Sequence, residues 1–94
     1  MAPLGLASAT HRPAPDLPQP TSFWMKNTYI PLDMIFIRGD GRILRIAENT
    51  VPLSETLVPS GGPVRAVLEV IAGTARKLGI EPGDRVAHPI FNGR

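Results

Sequence analysis

The chain has 94 residues, 43% of them hydrophobic, with ten Lys and Arg against eight Asp and Glu, a formal charge of +2 and no cysteine. This is material for one domain with a thin core, and it excludes disulfide staples, thiolate chemistry and cysteine-bound metal. The two signs are well mixed along the chain, so no basic face for nucleic acid is expected, and no apolar run is long enough to span a membrane.

Residues 1–22 differ from the rest in composition. Five of the eleven prolines lie here, at positions 3, 13, 15, 18 and 20. Proline removes backbone donors and favours extended, irregular chain. The segment reads as an irregular arm or strap, and its first thirteen residues make a poor export signal, because glycine and proline break the apolar run. As written, the chain reads as cytoplasmic.

Strand content is expected from Ser22. Phe23–Ile30 is rich in aromatic and β-branched types, and Pro31 ends that strand or marks an edge. Leu32–Arg38 reads as a second strand. Asp40-Gly41 then signals a hairpin of type I′, with Arg42–Glu48 running back antiparallel. Arg38, Arg42 and Arg45 are the only local basic cluster and read as a solvated hairpin surface. Residues 49–62, with two prolines and a Gly-Gly pair, read as connection.

Residues 64–71 form another strand in this reading. A short helix follows over Ala72–Leu78, with Gly79 as the left-handed residue past its end and Ile80 folding back on Ala75. Glu81-Pro82-Gly83-Asp84 suits a turn with proline second and glycine third. Arg85–Ile90 makes a last short strand, and order fades over 92–94. The fold class is mainly β, a small curled sheet or partial barrel with one short helix. The domain itself is expected over 23–91.

Chemistry concentrates in Phe23–Ile37, FWMKNTYIPLDMIFI. Strand alternation puts Phe23, Met25 and Asn27 on one face and Trp24, Lys26 and Thr28 on the other. Asp33, Ile35 and Ile37 likewise oppose Leu32, Met34 and Phe36. A charge on an apolar face must be paired or wet. Lys26 is therefore expected to meet Asp33 or Glu69 in a structural ion pair, or to line a polar-floored cleft. The cleft would take a small anionic or peptide-like ligand and be built from Trp24, Lys26, Asn27, Thr28, Asp33 and Glu69. Asn27 and Thr28 also suit local backbone hydrogen bonds before Pro31. Acid–base work by Asp33 or Glu69 is the enzymatic alternative. No catalytic motif, phosphate loop, metal-ligand spacing or cofactor signature is present. His11 and His88 fall in no motif.

FWMKNTYIPLDMIFI, then DGRIL, NTVPLSE, LEVIAG and LGIEPGDRV, occur in an order that resembles the DUF192 (UPF0127) family of small bacterial and archaeal proteins. The motif positions are Trp24–Thr28, Pro31–Asp33, Leu68, Glu69, Gly73, Gly79, Gly83 and Asp84. The resemblance implies a compact, mainly β fold and an envelope or periplasmic location, but no activity. Elements that family members carry before the tryptophan look absent or diverged here. An open sheet edge would then invite a homodimer. Three readings stay open: a non-enzymatic binding module, a structural protein fixed by a buried lysine–carboxylate pair, and a hydrolytic enzyme.

Overall fold

A computed structural model describes Thr10–Pro13 and residues 19–86. Six strands and one helix follow in chain order: β1 (Thr10–Pro13), β2 (Ser22–Phe23), β3 (Leu32–Ile37), β4 (Ile43–Ala47), β5 (Val58–Pro59), β6 (Ala66–Ile71) and α1 (Thr74–Leu78). They form a four-stranded sheet in the order β1-β6-β3-β4 and a two-stranded sheet of β2 and β5, all antiparallel. The mainly β reading holds, and the sheets do not close into a barrel.

The central strand β3 is buried on both faces, and alternation divides its side chains between two apolar layers. Ile35 and Ile37 pack with Val70, Ile43, Ala75 of α1, Ile80 and Val86. Met34 and Phe36 pack with Val67, Val64, Met25 and Ala47, against Phe23 and Val58 of the small sheet. The helix thus roofs one face and the β2–β5 flap roofs the other.

The β3–β4 hairpin forms as expected, but its turn is different. Arg38 accepts from the Gly41 N–H at 3.0 Å and donates to the Arg42 carbonyl at 2.8 Å. Only Gly41 of the turn residues has positive φ, at 89°. This is a three-residue loop ending in a left-handed glycine, not the two-residue type I′ turn. Asp40 favours it, because its Oδ1 accepts the Arg42 N–H at 3.0 Å. The helix end follows its local rule: the Ile80 N–H reaches the Ala75 carbonyl and the Gly79 N–H that of Arg76, with Gly79 at φ 67°, which is the Schellman arrangement. The Glu81–Asp84 turn also closes as read, by an Asp84 N–H to Glu81 carbonyl bond of 3.1 Å.

Three expectations are corrected. The strand expected over Phe23–Ile30 stops at Phe23, because Asn27 adopts a left-handed φ of 67° and the Thr28 N–H turns back to the Met25 carbonyl at 2.9 Å. The connection over 49–62 contains β5, which pairs with β2. Strand content also begins earlier than Ser22, because β1 pairs with β6 along the sheet edge. The last strand expected over Arg85–Ile90 is described only at Arg85 and Val86, the former bridged to Arg42; the rest of it lies outside the described residues.

Candidate functional site

Asp33 is the second residue of β3 and is fully buried. Its carboxylate meets no lysine. Oδ1 accepts the Asn49 N–H at 2.9 Å, while Oδ2 accepts the N–H groups of Gly73 and Ala75, each at 3.0 Å. One side chain therefore ties together the start of β3, the turn after β4 and the entry to α1. The helix carries no capping side chain of its own, since its N-cap is Gly73 and its first turn has no acidic residue. Asp33 supplies, from the helix-facing side of the neighbouring strand, the acceptor that the free N–H groups need, and their dipoles stabilise its charge.

The expected Lys26–carboxylate pair is thereby corrected. The turn at Lys26–Asn27 lifts the lysine off the sheet, where it is exposed. Its Nζ lies 5.2 Å from the centroid of the Trp24 ring, within cation–π range. Among the described residues it forms no ion pair. Glu69 is buried on β6, opposite Met34 in register, and alternation puts it on the flap side with Val67. Asp33 is on the helix side. The two carboxylates expected for acid–base work are thus separated by the sheet, and neither lines a described groove.

Of the six expected site residues, the structure brings Trp24, Lys26, Asn27 and Thr28 together in one outward loop and places Asp33 and Glu69 elsewhere. Thr28 and Asn27 shape that loop through their backbones. The β2–β5 register sets Phe23 opposite Val58, and its continuation sets Trp24 beside Leu57. These two residues, with Ser22 and Phe23, line a groove of about 230 Å³.

The loop is pinned to a second one over residues 50–57. The Met25 N–H donates to the Ser54 carbonyl at 3.0 Å, and the Leu53 N–H to that of Thr28 at 2.9 Å. Thr50 anchors the pair: its Oγ1 donates to the Leu32 carbonyl at 2.9 Å and accepts the Leu32 N–H at 3.3 Å. Together the loops present Trp24, Tyr29, Ile30, Val51, Leu53 and Leu57, all exposed, with Tyr29 at 77% and Val51 at 67%. Sequence reasoning singles out Trp24, sets Tyr29 near it beside Lys26, and allows Leu53, Leu57 and Val58 to pack over one end of a sheet; Val58 does so, but Leu53 and Leu57 are exposed, and Val51 carries no signal. Leu53 holds a left-handed φ of 63°, a conformation that costs a non-glycine residue about 1–2 kcal/mol. Only the structure reveals it.

The opposite end of β3 has another character. Arg38 pairs with Asp40 at 2.8 Å, Arg85 donates to the Asp40 carbonyl at 3.1 Å and Arg42 to that of Gly83 at 3.2 Å. The Arg42 N–H, then the charges of Arg38, Arg42 and Arg85, hold the Asp40 carboxyl below its ordinary range. Among the described residues no cluster of His, Asp and Glu has the geometry of a metal site, and no helix is long and apolar enough to cross a membrane.

Comparison with known proteins agrees with this architecture. The model of the family DUF192, described as Uncharacterized ACR, COG1430, matches residues 14–88. A crystallised protein of unknown function from Novosphingobium aromaticivorans DSM 12444 is similar at 44% identity and a TM-score of 0.79, over 87% of this chain and 59% of its own. A second, from Sinorhizobium meliloti 1021 and described as a candidate transcription regulator, is similar at 46% identity and a TM-score of 0.79, over 90% of this chain and 67% of its own. The chain thus spans about three-fifths to two-thirds of the length of these neighbours. No curated protein matches it.

Proposed function

We propose, from the premise that the chain belongs to the DUF192 family, that it is a non-catalytic binding module whose contact surface is the Trp24–Ile30 loop with its 50–57 partner. One observation carries this reading. Lys26 stands exposed over the Trp24 ring, with no carboxylate of the described residues paired to it, beside a groove walled by Trp24 and Leu57. A cation on an apolar platform suits a ligand with both an apolar group and a carboxylate, such as the C-terminal residue of a peptide. Exposed apolar side chains continue from that point along both loops, as a contact surface for more of the same ligand.

The chain has a single tryptophan, so its emission reports the site directly. Titration with acetylated dipeptides that end in a free leucine or phenylalanine should change Trp24 emission saturably. The amidated forms should bind at least tenfold more weakly. Lys26→Met should remove this preference without loss of fold, because the lysine is exposed and has no ion-pair partner among the described residues. Equal binding of acid and amide, or an emission that no member of the panel moves, overturns the reading.

The description of the Sinorhizobium neighbour favours a second reading, nucleic-acid contact at the hairpin end, where Arg38, Arg42 and Arg85 surround Asp40. Contacts of this kind fall with salt, by about one unit of slope per phosphate neutralised. Retention on duplex DNA that vanishes in Arg38→Ala and Arg85→Ala supports it; retention unchanged by both dismisses it.

A further inference from the structure

We propose that the ligand of the Trp24–Lys26 surface is an extended peptide C-terminus that adds to the free edge of β2 as a parallel strand, so that the site reads main chain as well as carboxylate. The inference rests on the proposed binding function and deepens it, because it separates a peptide from any other apolar carboxylic acid.

The pairing of β2 with β5 decides which backbone groups are free. Ser22 lies opposite Pro59 and Phe23 opposite Val58. Proline has no N–H to give, and the Ser60 N–H donates to the Thr21 carbonyl at 2.8 Å. Thr21 and Phe23 therefore turn their backbones to β5, and the N–H and C=O of Ser22 point the other way. Past the strand the alternation continues. The Met25 N–H turns back to the Ser54 carbonyl at 3.0 Å, which leaves the Trp24 N–H on the same side as Ser22. Among the described residues no hydrogen-bond partner meets the Ser22 N–H and carbonyl or the Trp24 N–H.

These groups are placed for a parallel neighbour. A peptide residue opposite Phe23 can donate its N–H to the Ser22 carbonyl and accept the Trp24 N–H with its own carbonyl. The next peptide residue then lies beside Trp24. Its side chain falls on the Trp24 face, where Ser22, Phe23, Trp24 and Leu57 line the groove of about 230 Å³. Chain order fixes the direction. Lys26 follows Trp24, so a strand running with β2 brings its last carboxylate to the lysine, whereas an antiparallel one brings it toward Thr21.

A lysine beside an edge usually keeps other strands away. Lys26 is exposed, with its Nζ 5.2 Å from the Trp24 ring centroid and no ion-pair partner among the described residues. It therefore favours a strand that ends there in a negative charge. The short length of β2 also suits a chain end better than a long segment. Main-chain bonds give this mode its affinity, and the groove and the lysine give its specificity. The chain's own flanking stretches depart from the far end of the sheet. Pro13 lies opposite Ala66 and Gln19 opposite Val64, Ala66 itself lies opposite Ile37, and the Val86 N–H reaches the Gly41 carbonyl in the hairpin turn.

The test uses Trp24 emission and amide exchange on the full chain. Saturation with acetyl-alanyl-leucine should slow exchange of the Trp24 amide about tenfold, as one added hydrogen bond allows. N-methylation at the alanine nitrogen, which removes the bond to the Ser22 carbonyl, should weaken binding about tenfold, and the same change at the leucine nitrogen, which points away from β2, should alter it less than about twofold. The des-amino analogue of leucine keeps the side chain and the carboxylate but has no amide, and it should bind at least about tenfold more weakly than the dipeptide. Equal effects of the two methylations, or a des-amino analogue that binds as tightly as the dipeptide, overturn the added strand; a preference for acid over amide that still depends on Lys26 then leaves the binding function standing. Loss of that preference overturns both. A Trp24 amide already protected in dilute, peptide-free protein gives the edge to the chain's own residues, and protection that rises with protein concentration gives it to a second copy; either result overturns the added peptide strand alone.

Discussion

The two ends of β3 are fastened by the same device in opposite surroundings. At the loop end Asp33 accepts three backbone N–H groups while fully buried. At the hairpin end Asp40 accepts the Arg42 N–H and an arginine side chain while exposed. Surface character runs the other way. The loop end hides its carboxylate and shows tryptophan, tyrosine and leucine; the hairpin end shows its charges. A small sheet buries little, so each end needs a staple that loops alone do not give. Where the staple is buried, the outer surface is released from holding the fold and is free to present apolar contacts.

The difference predicts very unequal costs. Asp33→Ala leaves buried N–H groups without an acceptor and should cost roughly 3–5 kcal/mol, much of the stability expected for a domain of this size. Asp33→Asn retains one oxygen for Gly73 and Ala75 but sets its amide against the Asn49 N–H, and should cost about 2 kcal/mol. Urea midpoints measure both. If Asp33→Ala costs no more than Asp40→Ala, burial does not separate the two staples and the comparison fails.

Leu53 sharpens the contrast with the opposite sign. Its φ of 63° is one that asparagine tolerates far better, and its side chain is 53% exposed, so little packing opposes a change. Leu53→Asn should therefore stabilise the chain, by up to about 1 kcal/mol. On the proposed reading it should also weaken ligand binding, because the strain then serves to display a contact residue. Thermal melts and Trp24 titrations on one variant give both numbers. A variant that is more stable and binds equally well removes Leu53 from the contact surface.

What the sequence disclosed, and what it hid, follows the range of the interactions. The hairpin, the Gly79 helix stop and the Glu81–Asp84 turn were legible because each is fixed by residues within five positions. The role of Asp33 was not, because its helix partners lie 40 and 42 positions away. A signal was present all the same. The helix beginning after Gly73 lacks any Ser, Thr, Asp or Asn at its cap position, so an acceptor had to arrive from elsewhere. Alternation correctly pointed Trp24 and Lys26 away from Phe23 and Met25. It failed at Asn27, whose left-handed turn ends the strand and removes Lys26 from reach of Asp33. β5 was missed because two residues in a proline-rich connection carry no period of their own; only pairing with β2 makes them a strand.

The smallest effect tests the exposed staple by pH. The Asp40 carboxyl titrates below its ordinary value when folded, chiefly through the Arg42 N–H and then the charges of Arg38, Arg42 and Arg85. A depressed folded value means that the native state holds the ionised form more tightly than the unfolded chain does. The contribution is then fully present above about pH 4 and disappears as the pH falls through the lower folded value. Asp40→Asn should accordingly be slightly less stable than the parent at pH 6, with the gap closing in acid. High salt should narrow it too, because exposed charges are screened. Carboxyl chemical shifts followed by NMR would place the folded titration directly. A midpoint at or above the ordinary aspartate value, or a stability gap that widens in acid, would show that neither the Arg42 N–H nor the arginine charges favour ionised Asp40 in the folded chain.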